Sequence, residues 1–108
     1  MAYRIAYSRE VGRQVGSLPG HINALAKQEI AGLSNDPRPP QGKELTGHPT
    51  YFRLWLGRDY RLVWQVRDED RMVEIEYVGY KMPNLYERLA LGQPPSKYAA
   101  SSTDRPQE

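Results

Sequence analysis

The chain has 108 residues, a length that suits a single domain with one hydrophobic core. Hydrophobic residues make up 39% and charged residues 26%, as in an ordinary soluble globular protein, and no apolar run approaches the roughly 18 residues that span a bilayer. Cysteine is absent, which excludes a disulfide framework and a thiolate site, and the N-terminus lacks the apolar core of a secretion signal, so we expect a cytoplasmic protein with no membrane partner.

The formal net charge is only +2, but the charges are unevenly distributed. A basic stretch comes first, and an acidic stretch follows it along the chain. The basic residues are Arg38, Lys43, Arg53, Arg58 and Arg61, and the acidic ones are Asp68, Glu69, Asp70, Glu74 and Glu76. A basic region of this kind can bind phosphate, although a mixed-charge solvated surface explains the charges equally well.

The N-terminal third is predicted to form a strand and a helical hairpin. Apolar and polar residues alternate over 3–7, which predicts a strand. Ser8 is a suitable N-cap for a short helix that contains Val11 and Val15. A longer helix follows Pro19 and ends before Pro37, because proline disfavours helical backbone in the residue before it. Its apolar stripe consists of Ile22, Leu25, Ala26, Ile30 and Leu33.

The middle of the chain is predicted to be a loop followed by an antiparallel meander. Residues 38–50 are rich in proline and glycine, whereas the apolar pattern over 51–56, 60–67 and 72–79 has a period of two. The predicted pairs of the first hairpin are Leu54–Leu62, Phe52–Trp64, Arg53–Val63 and Trp55–Arg61. Those of the second hairpin are Arg67–Met72, Trp64–Ile75, Leu62–Tyr77 and Arg61–Val78.

The C-terminal part contains a short helix and a polar tail. Pro83-Asn84 predicts a turn into a helix that bears Leu85, Tyr86 and Leu89. We therefore predict an α+β fold with an N-terminal strand, a helical hairpin, a three-stranded antiparallel meander and a short C-terminal helix. In this fold one curved sheet carries the helices on one face. The predicted domain covers 1–91, and the predicted disordered tail covers 92–108.

The predicted register collects functional side chains on the sheet face away from the helical hairpin. Arg53, Trp55 and Arg61 lie on this face, Lys81 follows the last strand, and Tyr86 is on the last helix. Guanidinium groups bind phosphate oxygens and aromatic rings stack on unpaired bases. The set therefore suits single-stranded RNA, and nothing in the sequence predicts a recognition helix for duplex DNA.

Each of these residues also has a structural explanation. The arginines could form ion pairs with Glu74 and Glu76 across the sheet, the aromatic rings could simply pack, and the lysine could be solvated. His21 and His48 lack metal-ligand spacing, and His48 in a Gly-His-Pro loop is more typical of turn chemistry than of catalysis. We expect no metal and no cofactor.

The order and spacing of several segments resemble the RelE/ParE superfamily of bacterial toxins, from Tyr3 to about Leu89. The stretch from Tyr60 to Val66 is especially similar to the RelE branch. The segments that carry the resemblance are Tyr3-Arg4-Ile5-Ala6-Tyr7, Leu18-Pro19, Leu33-Ser34-Asn35-Asp36-Pro37, Lys43-Glu44-Leu45-Thr46-Gly47, Tyr51-Phe52-Arg53-Leu54, Gly57-Arg58-Asp59-Tyr60-Arg61-Leu62-Val63, Val78-Gly79-Tyr80-Lys81 and Tyr86.

For the RelE branch, the resemblance implies the toxin of a type II toxin–antitoxin system. Such a toxin is a ribosome-dependent mRNA endonuclease, or mRNA interferase, that inhibits translation. The implied reaction is metal-independent attack by a ribose 2′-hydroxyl on the adjacent phosphate. The implied partners are a cognate antitoxin, the ribosome and mRNA, and the family also forms toxin–antitoxin heterotetramers.

The resemblance also implies three catalytic residues. Arg61 would hold the phosphate, Lys81 takes the position of a second catalytic arginine near the leaving oxygen, and Tyr86 would stack on or orient the nucleotide. A lysine lacks the bidentate fork of arginine, but it could donate a proton if a cationic pocket lowered its pKa.

Four further residues complete the predicted RNA-binding set, namely Arg53, Trp55, Lys43 and Arg58. Arg53 matches one member of a basic pair in RelE relatives. Trp55 replaces the other member, so a general base that close relatives use is missing here.

Two alternatives remain open from the sequence. A ParE-like toxin would inhibit DNA gyrase by binding, without a catalytic site. A member that no longer cuts could use its sheet to bind RNA or a protein. The combination of Arg61, Lys81 and Tyr86 favours the nuclease, because a ParE-like toxin needs no such set.

Overall fold

The computed structural model describes residues 2–91, so the predicted disordered tail over 92–108 lies outside the described part and stays a prediction. The strands are β1 (Arg4–Tyr7), β2 (Lys43–Leu45), β3 (His48–Leu56), β4 (Tyr60–Arg67) and β5 (Met72–Tyr80). The helices are α1 (Arg9–Gly16), α2 (Gly20–Leu33) and α3 (Leu85–Leu89). Within residues 2–91, no helix has the length and apolar character that a membrane span requires.

The strands form one open mixed sheet in the order β1-β5-β4-β3-β2. Strand β1 runs parallel to β5, while β2, β3, β4 and β5 pair antiparallel with their neighbours. The predicted α+β fold, its helical hairpin and its antiparallel meander are confirmed.

The prediction that residues 38–50 form only a loop was wrong, because this stretch contains the strand β2 and the first residues of β3. Residues Lys43 to Leu45 pair with β3, and β3 itself begins at His48 rather than at Tyr51. A strand of three residues is too short to show an alternating pattern, and the surrounding glycines and prolines dominate the local signal.

The helical hairpin covers one face of the sheet, as predicted. The Ser8 side chain accepts a hydrogen bond from the Val11 amide at 3.2 Å and so caps α1. Trp64 is fully buried beneath the hairpin, and its indole Nε1 donates to the Pro37 carbonyl at 2.9 Å. The other buried residues of this core are Val11, Ile22, Ala26, Leu33, Leu54, Leu56, Leu62, Val66, Val73, Ile75 and Val78.

A β-bulge changes the predicted register of the second hairpin. Arg67–Met72 and Trp64–Ile75 pair as predicted, but Glu76 is an extra residue in β5. Beyond it the observed pairs are Val63–Tyr77, Leu62–Val78 and Arg61–Gly79, which corrects the predicted pairs Leu62–Tyr77 and Arg61–Val78. Strict alternation cannot anticipate one extra residue, because a bulge shifts the register without changing the apolar composition.

The bulge brings Tyr77 to the face opposite the helical hairpin, where α3 packs. Leu85 of α3 is buried there with Leu45, Val63 and Tyr77. The helices therefore cover both faces of the sheet, which corrects the prediction that they lie on one face. Val63 is apolar on a face predicted to be open, and a helix that covers it removes this apolar surface from water.

Candidate functional site

The side chain of Arg61 lies in the centre of the α3-covered face, between two aromatic rings. Its guanidinium carbon is 3.8 Å from the centroid of the Trp55 ring and 5.9 Å from that of Tyr86. Its Nη1 donates a hydrogen bond to the Tyr86 hydroxyl. Only 6% of Arg61 is exposed, whereas 49% of Trp55 is exposed. The sequence correctly places Arg61 on this face but wrongly predicts that it is uncovered.

The guanidinium of Arg61 is a poorly compensated buried cation. Burial lowers the pKa of Arg61, and the neighbouring charge of Arg53 lowers it further, whereas Tyr86 acts in the opposite direction. Among the described residues, no acceptor pairs with the Nε of Arg61. A buried donor without a partner costs about 1–3 kcal/mol, so an anion that reached this group would be strongly favoured.

Lys81 is held beside Tyr86 by backbone contacts. Its amide donates to the Asp59 carbonyl at 2.9 Å, which ties the segment after β5 to the β3–β4 turn. Its Nζ donates to the Met82 carbonyl at 3.2 Å and lies 5.6 Å from the centroid of the Tyr86 ring. The amine of Lys81 and the guanidinium of Arg61 thus both lie within 6 Å of the centroid of the same phenol ring.

A cavity of about 410 Å³ opens next to this cluster, between the β2–β3 hairpin and α3. Two cations and one phenol share its wall with an imidazole and a carboxylate. The lining residues are Leu45, Thr46, His48, Arg53, Lys81, Asn84, Leu85, Tyr86 and Glu87. The cavity therefore offers phosphate-binding groups together with groups that can exchange protons.

Comparison with known proteins finds relatives by structure. No protein-family model and no curated protein matches the sequence. The free Escherichia coli RelE toxin, in a form with two arginines changed to alanine, matches with a TM-score of 0.69 and 24% identity, over 83% of this chain and 96% of that one. A chain of the intact E. coli RelBE toxin–antitoxin complex matches with a TM-score of 0.65 and 26% identity, over 75% and 99%.

The toxin–antitoxin complex RelBE2 of Mycobacterium tuberculosis gives a similar match, with a TM-score of 0.61 and 26% identity over 75% of this chain and 100% of that one. The chain has the fold of the RelE-like toxins of the RelE/ParE superfamily. The resemblance that the sequence segments indicated is thereby confirmed.

The RelE-like fold brings most of the predicted site residues together. Arg61, Lys81 and Tyr86 form one cluster, and Trp55 stacks on Arg61. Arg53 lines the adjoining cavity. The catalytic and RNA-binding roles of these residues stay predictions.

Two of the predicted RNA-binding residues lie at the border of the site. Lys43 is exposed on β2, directly opposite Arg53 in the sheet. Cations that face each other across strands repel, and an anion between them would relieve the repulsion. Arg58 is exposed in the β3–β4 turn and is not part of the cavity wall.

Glu74 and Glu76 of β5 do not pair with Arg61. The alternative that the arginines of this face form ion pairs with these two carboxylates is therefore not observed for Arg61. Glu74 forms an ion pair with Arg67, with 2.7 Å between Oε1 and Nη2. Burial raises the pKa of Glu76 to about 7, with a further contribution from the charge of Glu74. The guanidinium of Arg61 thus keeps aromatic partners in place of a carboxylate.

The sequence interpretation missed His48 as a site residue. It assigned His48 to a turn, whereas the structure places it at the first position of β3, on the wall of the same cavity as Lys81 and Tyr86. A prediction of the short pairing between β2 and β3 would have placed His48 in the site, because that pairing folds His48 back towards α3.

Proposed function

We propose that this RelE-like chain is the toxin of a toxin–antitoxin system and that it inhibits translation by cutting mRNA on the ribosome. The likeness to RelE toxins, some solved together with their antitoxins, supports the toxin role and a cognate antitoxin as partner. The nuclease chemistry rests on one observation, namely the buried Arg61 guanidinium with an unpaired Nε beside Tyr86 and Lys81.

The proposed reaction is attack by the ribose 2′-hydroxyl on the adjacent phosphate, which leaves a 2′,3′-cyclic phosphate. Negative charge grows on the phosphate oxygens in the transition state, and fixed cations in a dry site stabilise it most effectively. Arg61 supplies such a cation, and its unused Nε donor can bind a phosphate oxygen. Lys81, whose Nζ lies 5.6 Å from the centroid of the Tyr86 ring, would act on the leaving oxygen.

The proposed path of the RNA follows the basic half of the face. Arg53 and Lys43 would contact neighbouring phosphates, and Arg58 would contact the backbone at the exposed turn. Trp55 presents one ring face to Arg61, and its other face can stack on an unpaired base. The antitoxin would cover this basic face or displace α3 from it.

A direct test compares the wild-type protein with Arg61→Ala and Lys81→Ala on ribosomes programmed with a defined mRNA. Each substitution should lower the cleavage rate on the order of 10²-fold or more, because each removes a charge that acts in the transition state. Arg13→Ala is a matched control, since Arg13 pairs with Glu10 on the exposed surface of α1. Cleavage that both site variants retain would contradict the assignment.

A second experiment tests the class of function. Expression of the chain should arrest growth, and the product of a neighbouring antitoxin gene should relieve the arrest. Translation assays and DNA supercoiling assays on the same purified protein then separate the nuclease from a gyrase inhibitor. Inhibited supercoiling with intact translation would overturn the proposal.

A further inference from the structure

The cleavage proposed above requires a group that removes the proton of the attacking 2′-hydroxyl. Trp55, which stacks on Arg61, cannot be that group, because an indole donates hydrogen bonds but accepts no proton. The acceptor must therefore come from elsewhere in the site. The 410 Å³ cavity beside Arg61 limits the choice, because a general base has to lie within hydrogen-bonding reach of the ribose.

Five titratable side chains line this cavity, and three of them are unsuitable as bases. They are His48, Arg53, Lys81, Tyr86 and Glu87. An arginine has no acceptor, and a charged lysine is a donor only. The Tyr86 hydroxyl already accepts a hydrogen bond from Arg61. The two remaining acceptors are the imidazole of His48 and the carboxylate of Glu87.

Position and charge favour His48 over Glu87. His48 is partly buried at the first residue of β3, where it pairs with Leu45 and makes an edge-on contact with Tyr51, with 6.5 Å between ring centroids. Glu87 is exposed on α3. A neutral imidazole can approach a phosphodiester without repulsion, whereas a carboxylate is repelled by it. Imidazoles also exchange protons between about pH 5 and 8.

Glu76 is a weaker candidate, although it lies on the same face of the sheet. Its charged neighbours are Glu74 and Arg67, and it is not among the residues that line the cavity. Glu76 therefore has no observed contact with the cavity in which the ribose would lie.

We propose that His48 is the general base of the reaction. The 2′-hydroxyl proton moves to a free imidazole nitrogen of His48 while the O2′–P bond forms. The P–O5′ bond breaks, and the departing O5′ takes a proton from the ammonium group of Lys81. The products are a 2′,3′-cyclic phosphate and a 5′-hydroxyl, and exchange with water restores both side chains. No oxidation or reduction takes place.

The chain offers a matched control, because it contains two histidines. His21 is exposed on α2, which packs on the opposite face of the sheet. Single-turnover cleavage on programmed ribosomes is measured from pH 5.5 to 8.5 for the wild type, His48→Gln, His21→Gln and Glu87→Gln. We expect His48→Gln to lower the maximal rate on the order of 10²-fold and to remove the rise of rate with pH. His21→Gln should follow the wild type, and Glu87→Gln should keep the rise of rate with pH.

Two further measurements separate a catalytic role from a structural one. Imidazole added to His48→Ala should restore part of the rate, but it should not restore Arg61→Ala. Titration with adenosine 3′-monophosphate should shift one imidazole C2 proton resonance, which is absent from His48→Gln and present in His21→Gln.

The outcomes distinguish this inference from the function on which it rests. A wild-type protein that cleaves, with a His48→Gln variant that keeps the same rate and pH profile, overturns the role of His48 alone. Loss of the rising limb in Glu87→Gln in place of His48→Gln overturns it as well. A wild-type protein that does not cleave at any pH overturns the proposed function and the catalytic role of His48 together.

Discussion

At the scale of single residues, Glu76 occupies a site that opposes its ionisation. The β-bulge inserts it into β5 as an unpaired residue, on a face that it shares with Glu74. Burial raises its pKa from the ordinary value of 4.5 to about 7, the charge of Glu74 contributes in the same direction, and Arg67 opposes both. The fold therefore favours the neutral carboxyl group.

Glu76→Gln should make the protein less sensitive to alkaline pH. Because the folded-state pKa lies above the unfolded value, the fold has its full stability below about pH 4.5 and loses this contribution as the pH rises through 7. The change in the free energy of unfolding between pH 5 and pH 8 should shrink by about 1 kcal/mol in the variant, a figure that allows for solvent screening at this partly exposed group.

Urea denaturation at both pH values measures the effect. Glu69→Gln is the matched control, because it removes the same charge from an exposed position in the β4–β5 turn. An equal loss of stability between the two pH values in the wild type and Glu76→Gln would show that Glu76 ionises freely.

At the scale of elements, the β3–β4 turn determines how Trp55 meets Arg61. Gly57 in this turn has a φ of 66°, in the left-handed region. A Cβ at this position would lie 2.9 Å from the Cδ1 of Ile22, so the turn also packs closely on α2. The hairpin register that follows places Trp55 opposite Arg61. The stack in the site thus depends on a glycine that the helical hairpin contacts on the other face.

Gly57→Ala should destabilise the protein by about 1–2 kcal/mol, because a Cβ is unfavourable in left-handed backbone and the terminal methyl group of Ile22 would have to move to admit it. Gly32→Ala is the matched control, since a Cβ at Gly32 of α2 meets no atom within 4 Å. The control should gain about 0.5–1 kcal/mol from the helix propensity of alanine. Equal melting temperatures for the two variants would contradict the strained turn.

At the scale of the whole molecule, the α3-covered face has two electrostatic ends. Lys43, Arg53 and Arg61 lie on β2, β3 and β4, whereas Glu74 and Glu76 lie on β5. Apolar residues, including Val63 and Leu85, separate the two ends. A nucleic acid on this face would be attracted to the β2–β3 side and repelled from β5.

Lys43→Ala should weaken the binding of single-stranded RNA and reduce its dependence on salt. Each phosphate contact on a single strand contributes about 0.7 to the slope of log K against log salt concentration, so the slope should fall by about 0.7. Fluorescence anisotropy of a labelled oligonucleotide measures this. Arg9→Ala removes an exposed cation on α1 and should leave the slope unchanged, and equal slopes for all three proteins would exclude Lys43 from the RNA path.

Much of the fold was predictable because its signals are local. The Ser8 cap, the apolar stripe of α2 and the alternation of the meander are properties of neighbouring residues, so the sequence determined the helical hairpin and the pairing of Trp55 with Arg61. The segments that resemble the RelE/ParE superfamily added the expectation that Lys81 and Tyr86 belong to the same site. The structure brings these two residues together.

Only the tertiary structure decided what covers that site. The bulge at Glu76, the short strand β2 and the packing of α3 over Val63 depend on contacts between segments that are distant in the chain. These contacts bury Arg61 and bring His48 to the wall of the cavity. A periodic pattern records which face of a strand is apolar, but it carries no information about which element later covers the other face.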